Sequence, residues 1–176
     1  MKAAHRCISR LVVFSRDFQK LALGSSFNQE DALKIALYIF IGLVIFVLVS
    51  FFIMGKKSQS GSAPGLSNNK LAEVSSKPNC VSSEARTPDG KKVAPFHPDQ
   101  WEALKAAVKS SGGVITNETD SYFSAEFTSS FFKFVDDFEA RRNEEFVHVR
   151  SASRVGYSDR GVNKKRIEAL RNAISN

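Results

Sequence analysis

Cysteine is scarce: the 176 residues hold two, Cys7 and Cys80, on either side of an apolar run from Ile35 to Met54. If that run crosses a membrane, the two thiols cannot meet within one chain, and a disulfide-stapled scaffold is excluded. Histidine is scarce too. Three His and two Cys, none at short paired spacings, make no zinc site, and no other cofactor is implied. A third shortage is of net charge where a nucleic-acid binder would need it. The chain carries +7, but residues 1–77 hold ten Lys/Arg against four Asp/Glu, whereas residues 78–176 hold fifteen against fourteen. A nearly neutral domain cannot neutralise a run of phosphates, so nucleic acid is excluded as a partner. The basicity belongs to the membrane flanks and suits anionic lipid.

What the chain has in excess is uninterrupted apolar sequence. The stretch 35–54, IALYIFIGLVIFVLVSFFIM, has no charge, and fifteen of its twenty residues are Leu, Ile, Val or Phe. Twenty helical residues reach about 30 Å, the thickness of the hydrocarbon core. At roughly 0.3 to 0.6 kcal/mol each, the fifteen favour insertion by about 5 to 9 kcal/mol. The spacing predicts one transmembrane helix over 35–54, with the lipid bilayer as first partner. A core helix apolar on all faces would need surfaces to bury it, and the polar sequence that follows offers none.

Residues 1–34 open with Lys2, Arg6, Arg10, Arg16 and Lys20, with Asp17 the single acid among the first twenty. Ile8, Leu11, Val12, Phe18 and Leu21 recur near a helical period, which predicts a basic amphipathic helix on the membrane surface. An organelle-targeting presequence, cleaved or not, has the same composition and stays open. The Lys/Arg excess before the span favours a cytoplasmic N-terminus and an extracytoplasmic, periplasmic domain, although Lys56 and Lys57 oppose it; an organellar membrane is the alternative. Residues 55–77, rich in Ser, Gly, Asn and Lys, predict a flexible linker reaching about 25 Å.

Residues 78–176 are expected to form an α+β domain. WEALKAAVKSSGG predicts a helix from Trp101 with Leu104, Ala107 and Val108 on one face. Residues 114–118 and 122–128 alternate as strands about a Thr119–Ser121 turn, with Phe123, Ala125 and Phe127 on one side. A third strand is expected over 131–141, with Phe132, Phe134, Phe138 and Ala140 on one face, and a fourth over 146–153. Asn163 is the expected N-cap of a last helix carrying Ile167, Leu170 and Ile174. Two helices flanking an antiparallel four-stranded meander make the fold.

The densest polar segment gathers Arg150, Ser151, Ser153, Arg154, Tyr157, Ser158, Asp159, Asn163 and Arg166 within seventeen residues. Alternation puts Arg150 on one sheet face and Ser151 and Ser153 on the other; Gly156 and Gly161 permit tight turns. Arg and Ser beside a helix start are what an anion site needs. The same arginines could instead pair with Asp136, Asp137 or Asp159 to pin the loop. Asp136 and Asp137 face opposite sides of a strand and cannot share a proton. Cys80 is a candidate nucleophile, but no spacing sets His97 or His148 against it as base.

Three stretches, PNCVSSEA at 78–85, FKFVDDFE at 132–139 and RSASRVGYSDRGVNKKRIEALR at 150–171, together resemble the DUF1499 family, a domain of unknown function found in bacteria and photosynthetic eukaryotes. The matching positions are Asn79, Cys80, Ser82, Ser83, Asp136, Asp137, Glu139, Arg150, Ser151, Ser153, Arg154, Gly156, Tyr157, Asp159, Asn163 and Arg166. The resemblance implies no catalytic residues; it implies a domain that commonly follows a signal or membrane anchor. The sequence thus predicts a single-pass envelope protein, more a binding module than an enzyme, whose 150–166 segment takes an anionic small molecule or a membrane protein partner. A hydrolase or transferase acting on lipid or envelope material through Cys80 or a loop Ser is the alternative.

Overall fold

The computed structural model describes residues 28–175; the expected amphipathic segment over residues 1–27 and Cys7 lie outside the described residues. The chain divides into two units, residues 1–47 and 48–176. The described part of the first is helix α1, Gln29–Gln59, which runs on into the second. Asn28 Oδ1 accepts the Asp31 N–H at 2.8 Å, capping the first turn. That cap starts the helix earlier than the apolar run alone would, and its last turns extend beyond Met54. Among the described residues α1 is the helix long and apolar enough to span a membrane: its most apolar window has a mean hydropathy of 2.9 and none of it is buried.

The second unit is α+β. Its sheet has five antiparallel strands: β3 (Cys80–Ser82), β4 (Val114–Glu118), β5 (Tyr122–Thr128), β6 (Val135–Arg142) and β7 (Val147–Ser153), in the order β3-β7-β6-β5-β4. The meander of four was expected; the fifth is β3, paired to the outer edge of β7 with Cys80 opposite Ala152. Three residues are too few to show alternation, so the sequence concealed it. Two helices, α2 (Trp101–Ser110) and α3 (Val162–Ser175), cover one face. There Phe123, Ala125, Phe138, Ala140, Val147 and Val149 meet Trp101, Leu104, Val108, Ile167 and Leu170, all buried. Each large side chain among them contributes about 1.5 to 3 kcal/mol.

Three expectations are corrected. The third strand begins at Val135, not 131. Phe132 and Phe134 lie in the preceding turn, where Lys133 takes a left-handed φ of 57°. Asn163 is inside the first turn of α3, and Asp159 Oδ2 accepts its N–H at 2.8 Å, the role foreseen for Asn163 itself. The third concerns residues 55–77, expected as a loose tether. They close over the second face of the sheet, forming a small hairpin of β1 (Leu66–Ser67) and β2 (Lys70–Leu71) turned at Asn68 and Asn69, both left-handed. Ser58 is fully buried and Leu71 nearly so. The Gly65 N–H donates to Glu139 Oε1 and the Leu71 N–H to Glu84 Oε1, each at 3.0 Å. The segment lacks an apolar period because it contributes backbone donors to a polar sheet face, and composition does not register that.

Candidate functional site

The 150–166 segment is split by strand alternation between the two sheet faces, and its arginines meet a different carboxylate on each. On the face under residues 58–77, Arg150 Nη1 donates to Glu139 Oε2 at 2.8 Å, while the Tyr122 hydroxyl donates to Glu139 Oε1 at 3.0 Å. Glu139 is wholly buried. Burial pushes its carboxyl up, against the pull of Arg150, and burial and then the Glu139 charge push the Tyr122 phenol up. Arg150 Nε is buried with no partner.

Arg154, with its side chain 7% exposed, is a junction. Its Nη2 lies 2.7 Å from Asp137 Oδ1 and its Nε 3.0 Å from Asp137 Oδ2; Nη2 also reaches Glu126 Oε1. Its Nη1 donates to the Ser58 carbonyl at 3.0 Å, one of the last carbonyls of α1. The Asp137 hydrogen bonds, outweighing desolvation, raise the guanidinium above its ordinary value. Ser58 Oγ accepts the Val135 N–H at 3.0 Å, and Gln59 Nε2 donates to the Lys133 carbonyl at 3.1 Å. The exit of the apolar helix is thereby bonded to the β5–β6 turn, to the start of β6 and to Arg154 just after β7.

On the helix-covered face, Ser151 Oγ donates to Asn163 Oδ1 at 2.6 Å, and Asn163 Nδ2 donates to the Asn79 carbonyl and Ser153 Oγ, both at 3.1 Å. Arg166 reaches Ser151 Oγ at 2.8 Å and Asp136 Oδ2 at 2.7 Å, its guanidinium over the Phe127 ring. Asn79 Nδ2 donates to the Gly156 carbonyl at 3.1 Å. These bonds tie the start of α3 to β3 and β7. Asp136 and Asp137 therefore serve different arginines on opposite faces, as the strand period requires.

Cys80 is buried, and its thiol makes a weak hydrogen bond to the Val81 carbonyl at 3.9 Å. Burial pushes the thiol up, more than Arg150 and Lys91 pull it down, which disfavours the thiolate. His148 Nδ1 lies 3.2 Å from the Ser83 carbonyl and exposed His97 Nδ1 lies 2.7 Å from Asp99; neither hydrogen-bonds Cys80. No group of three His, Cys, Asp or Glu among the described residues is placed to hold a metal ion.

What faces water is the outer half of the segment. Tyr157 is 73% exposed, and Ser158, Arg160, Lys164 and Lys165 are exposed around Gly156 and Gly161, whose φ values are 88° and 80°. Two features escaped sequence reasoning. One is the Glu139–Tyr122 pair, legible only through alternation with Asp137. The other is a cleft of about 930 Å³ lined by Ser67, Leu71, Val74, Glu84, Thr87 and Pro88. Nothing in the sequence pointed to the cleft, because one wall is the presumed linker. Near it Arg141 holds Glu84 through two bonds of 2.6 and 3.0 Å; burial raises that carboxyl, but the bonds from Arg141 and Leu71 outweigh it and leave it below the ordinary range.

Residues 70–174, more than half of the chain, match the family described as "Protein of unknown function (DUF1499)". The chain belongs to the DUF1499 family. No curated protein and no solved structure matches it. In the fold the three DUF1499 stretches become β3, β6 and β7 with α3, and β3-β7-β6 are neighbours in the sheet.

Proposed function

We propose that this DUF1499 protein is a single-pass membrane protein whose domain works by binding, taking an anionic group on the exposed outer half of the 150–166 segment. The domain lies on the extracytoplasmic side, periplasmic in a two-membrane envelope, in keeping with the Lys/Arg excess of residues 1–34. The observation that carries the reading is the division within the segment. Arg150, Arg154 and Arg166 are each held by a carboxylate, whereas Arg160, Lys164 and Lys165 are exposed and make no salt bridge among the described residues. The inner arginines fix the loop, and the outer cations beside Tyr157 and the first turn of α3 attract negative charge. The raised thiol of buried Cys80 supports binding over nucleophilic catalysis.

The test uses full-length protein in lipid nanodiscs, titrated with inorganic phosphate and pyrophosphate while unfolding is followed. A ligand at one hundred times its Kd stabilises by about 2.7 kcal/mol. Pyrophosphate should raise the melting temperature, and the triple charge reversal R160E/K164E/K165E should abolish the rise while melting like the parent. Equal stabilisation of both proteins, or of neither, overturns the anion reading.

A further inference from the structure

The β5–β6 turn carries Phe131, Phe132 and Phe134 in four residues, and Phe131 is 81% exposed. Single exposed apolar residues need no explanation; a ring cluster continuous with an apolar helix does. The Phe132 ring stacks on Phe51 of α1 with centroids 5.2 Å apart, and Phe134 meets the same ring edge-on at 6.2 Å. Phe131 packs edge-on to Phe132 at 4.7 Å. Phe51 precedes Lys56 by five residues, about 7.5 Å along a helix axis. The turn's rings therefore sit level with the apolar run, on the hydrocarbon side of the exposed Lys56–Lys57 pair. Phe52 and Ile53 beside them are 57% and 60% exposed.

Part of the turn's backbone is satisfied within the protein. Its Ser129 N–H donates to the Phe134 carbonyl at 2.8 Å, the Phe134 N–H to Ser129 Oγ at 2.9 Å, and the Lys133 carbonyl accepts from Gln59. Backbone polar groups entering lipid must be satisfied within the protein, and these are. Gly55 lets the chains approach so closely that an added Cβ would lie 1.9 Å from the Phe132 carbonyl oxygen. The turn cannot swing away from the helix without losing these contacts.

Resting on the reading of α1 as a membrane span, we infer that the turn over residues 129–134 is a second membrane contact. Phe131, with the outer edges of Phe132 and Phe134, enters the boundary between acyl chains and headgroups, and Lys133, Lys56 and Lys57 reach the anionic headgroups. The domain is held down on the bilayer at two points instead of swinging from one.

The experiment places an environment-sensitive nitrobenzoxadiazole label at F131C in full-length protein carrying C7S, reconstituted in phosphatidylcholine–phosphatidylglycerol vesicles. D120C, in the turn at the opposite end of β5, is the control. Unlabelled buried Cys80 and the emission of buried Trp101 report that the variants are folded. Label at 131 should emit to the blue of label at 120 and be quenched about two-fold or more by lipid spin-labelled near the headgroup, with 120 unaffected. Equal exposure of the two positions in protein that survives carbonate washing overturns the second contact and leaves the span intact. A blue shift without lipid quenching assigns the turn to a second protein copy and also overturns it. Loss of the protein to the carbonate wash removes the span and this inference together.

Discussion

Replacing Arg154 by Ala should be the most damaging single change outside the apolar core. The side chain is 7% exposed and Asp137 only 6%, so the deletion leaves a carboxylate buried without its cation. Breaking a buried pair in this way costs about 3 to 5 kcal/mol. At about 4 °C per kcal/mol for a domain of this size, the melting temperature falls by roughly 12 to 20 °C. The assay is thermal unfolding of detergent-solubilised full-length protein followed by Trp101, which is buried in the native core. The companion D137N should cost less in the R154A background than alone, because it removes the orphaned charge. Arg154→Lys, keeping charge but losing the fork, should fall between parent and Ala. Because Arg154 also binds the Ser58 carbonyl, tryptic cleavage after Lys56 and Lys57 should accelerate in R154A. A melting shift under about 3 °C, or additive effects of R154A and D137N, would refute a buried junction and return Arg154 to the pool of ligand-binding candidates.

Gly55→Val must displace the Phe132 carbonyl, since even a Cβ would stand 1.9 Å from it; roughly 1 to 3 kcal/mol should be lost in the same melting assay, with faster cleavage at Lys56. The contribution of His148 to stability should be complete above about pH 6.5 and fall as pH drops: burial, then Arg141, lowers His148 below its usual value, so the unfolded chain takes up that proton first. Glu84, held below the ordinary carboxylate range, adds a second loss below about pH 4.3, against which buried Glu139, its carboxyl pushed up, gains as it protonates; H148Q should remove only the upper step in melts across pH. Cys80 should resist thiol-disulfide reagents at neutral pH and react once the chain is unfolded by guanidinium, as thiol titration would show.

Much of the domain could be read from periodicity. The ranges 114–118 and 122–128 coincide with β4 and β5, and Phe123 and Ala125 enter the core together, as alternation placed them. The boundary of β6 was misplaced because Phe132 and Phe134 have the strand period but pack against Phe51 instead of the core. Opposite-face placement of Asp136 and Asp137 was legible, and so was pairing of arginines with acids; the partner of Arg150 was not, since Glu139 is reached across a strand and not along the chain. Residues 58–77 were the largest omission. Their contribution includes one buried Leu, one buried Ser and the backbone donors of Gly65 and Leu71, none of which leaves a pattern.

That covering segment has a bearing on how the protein can be cut. A fragment beginning at Pro78 would leave Glu139, Arg150 and Tyr122 roofless, and a protease acting between span and sheet would release a damaged head and not a working soluble form. If α1 is an anchor, such a protein is poorly suited to shedding.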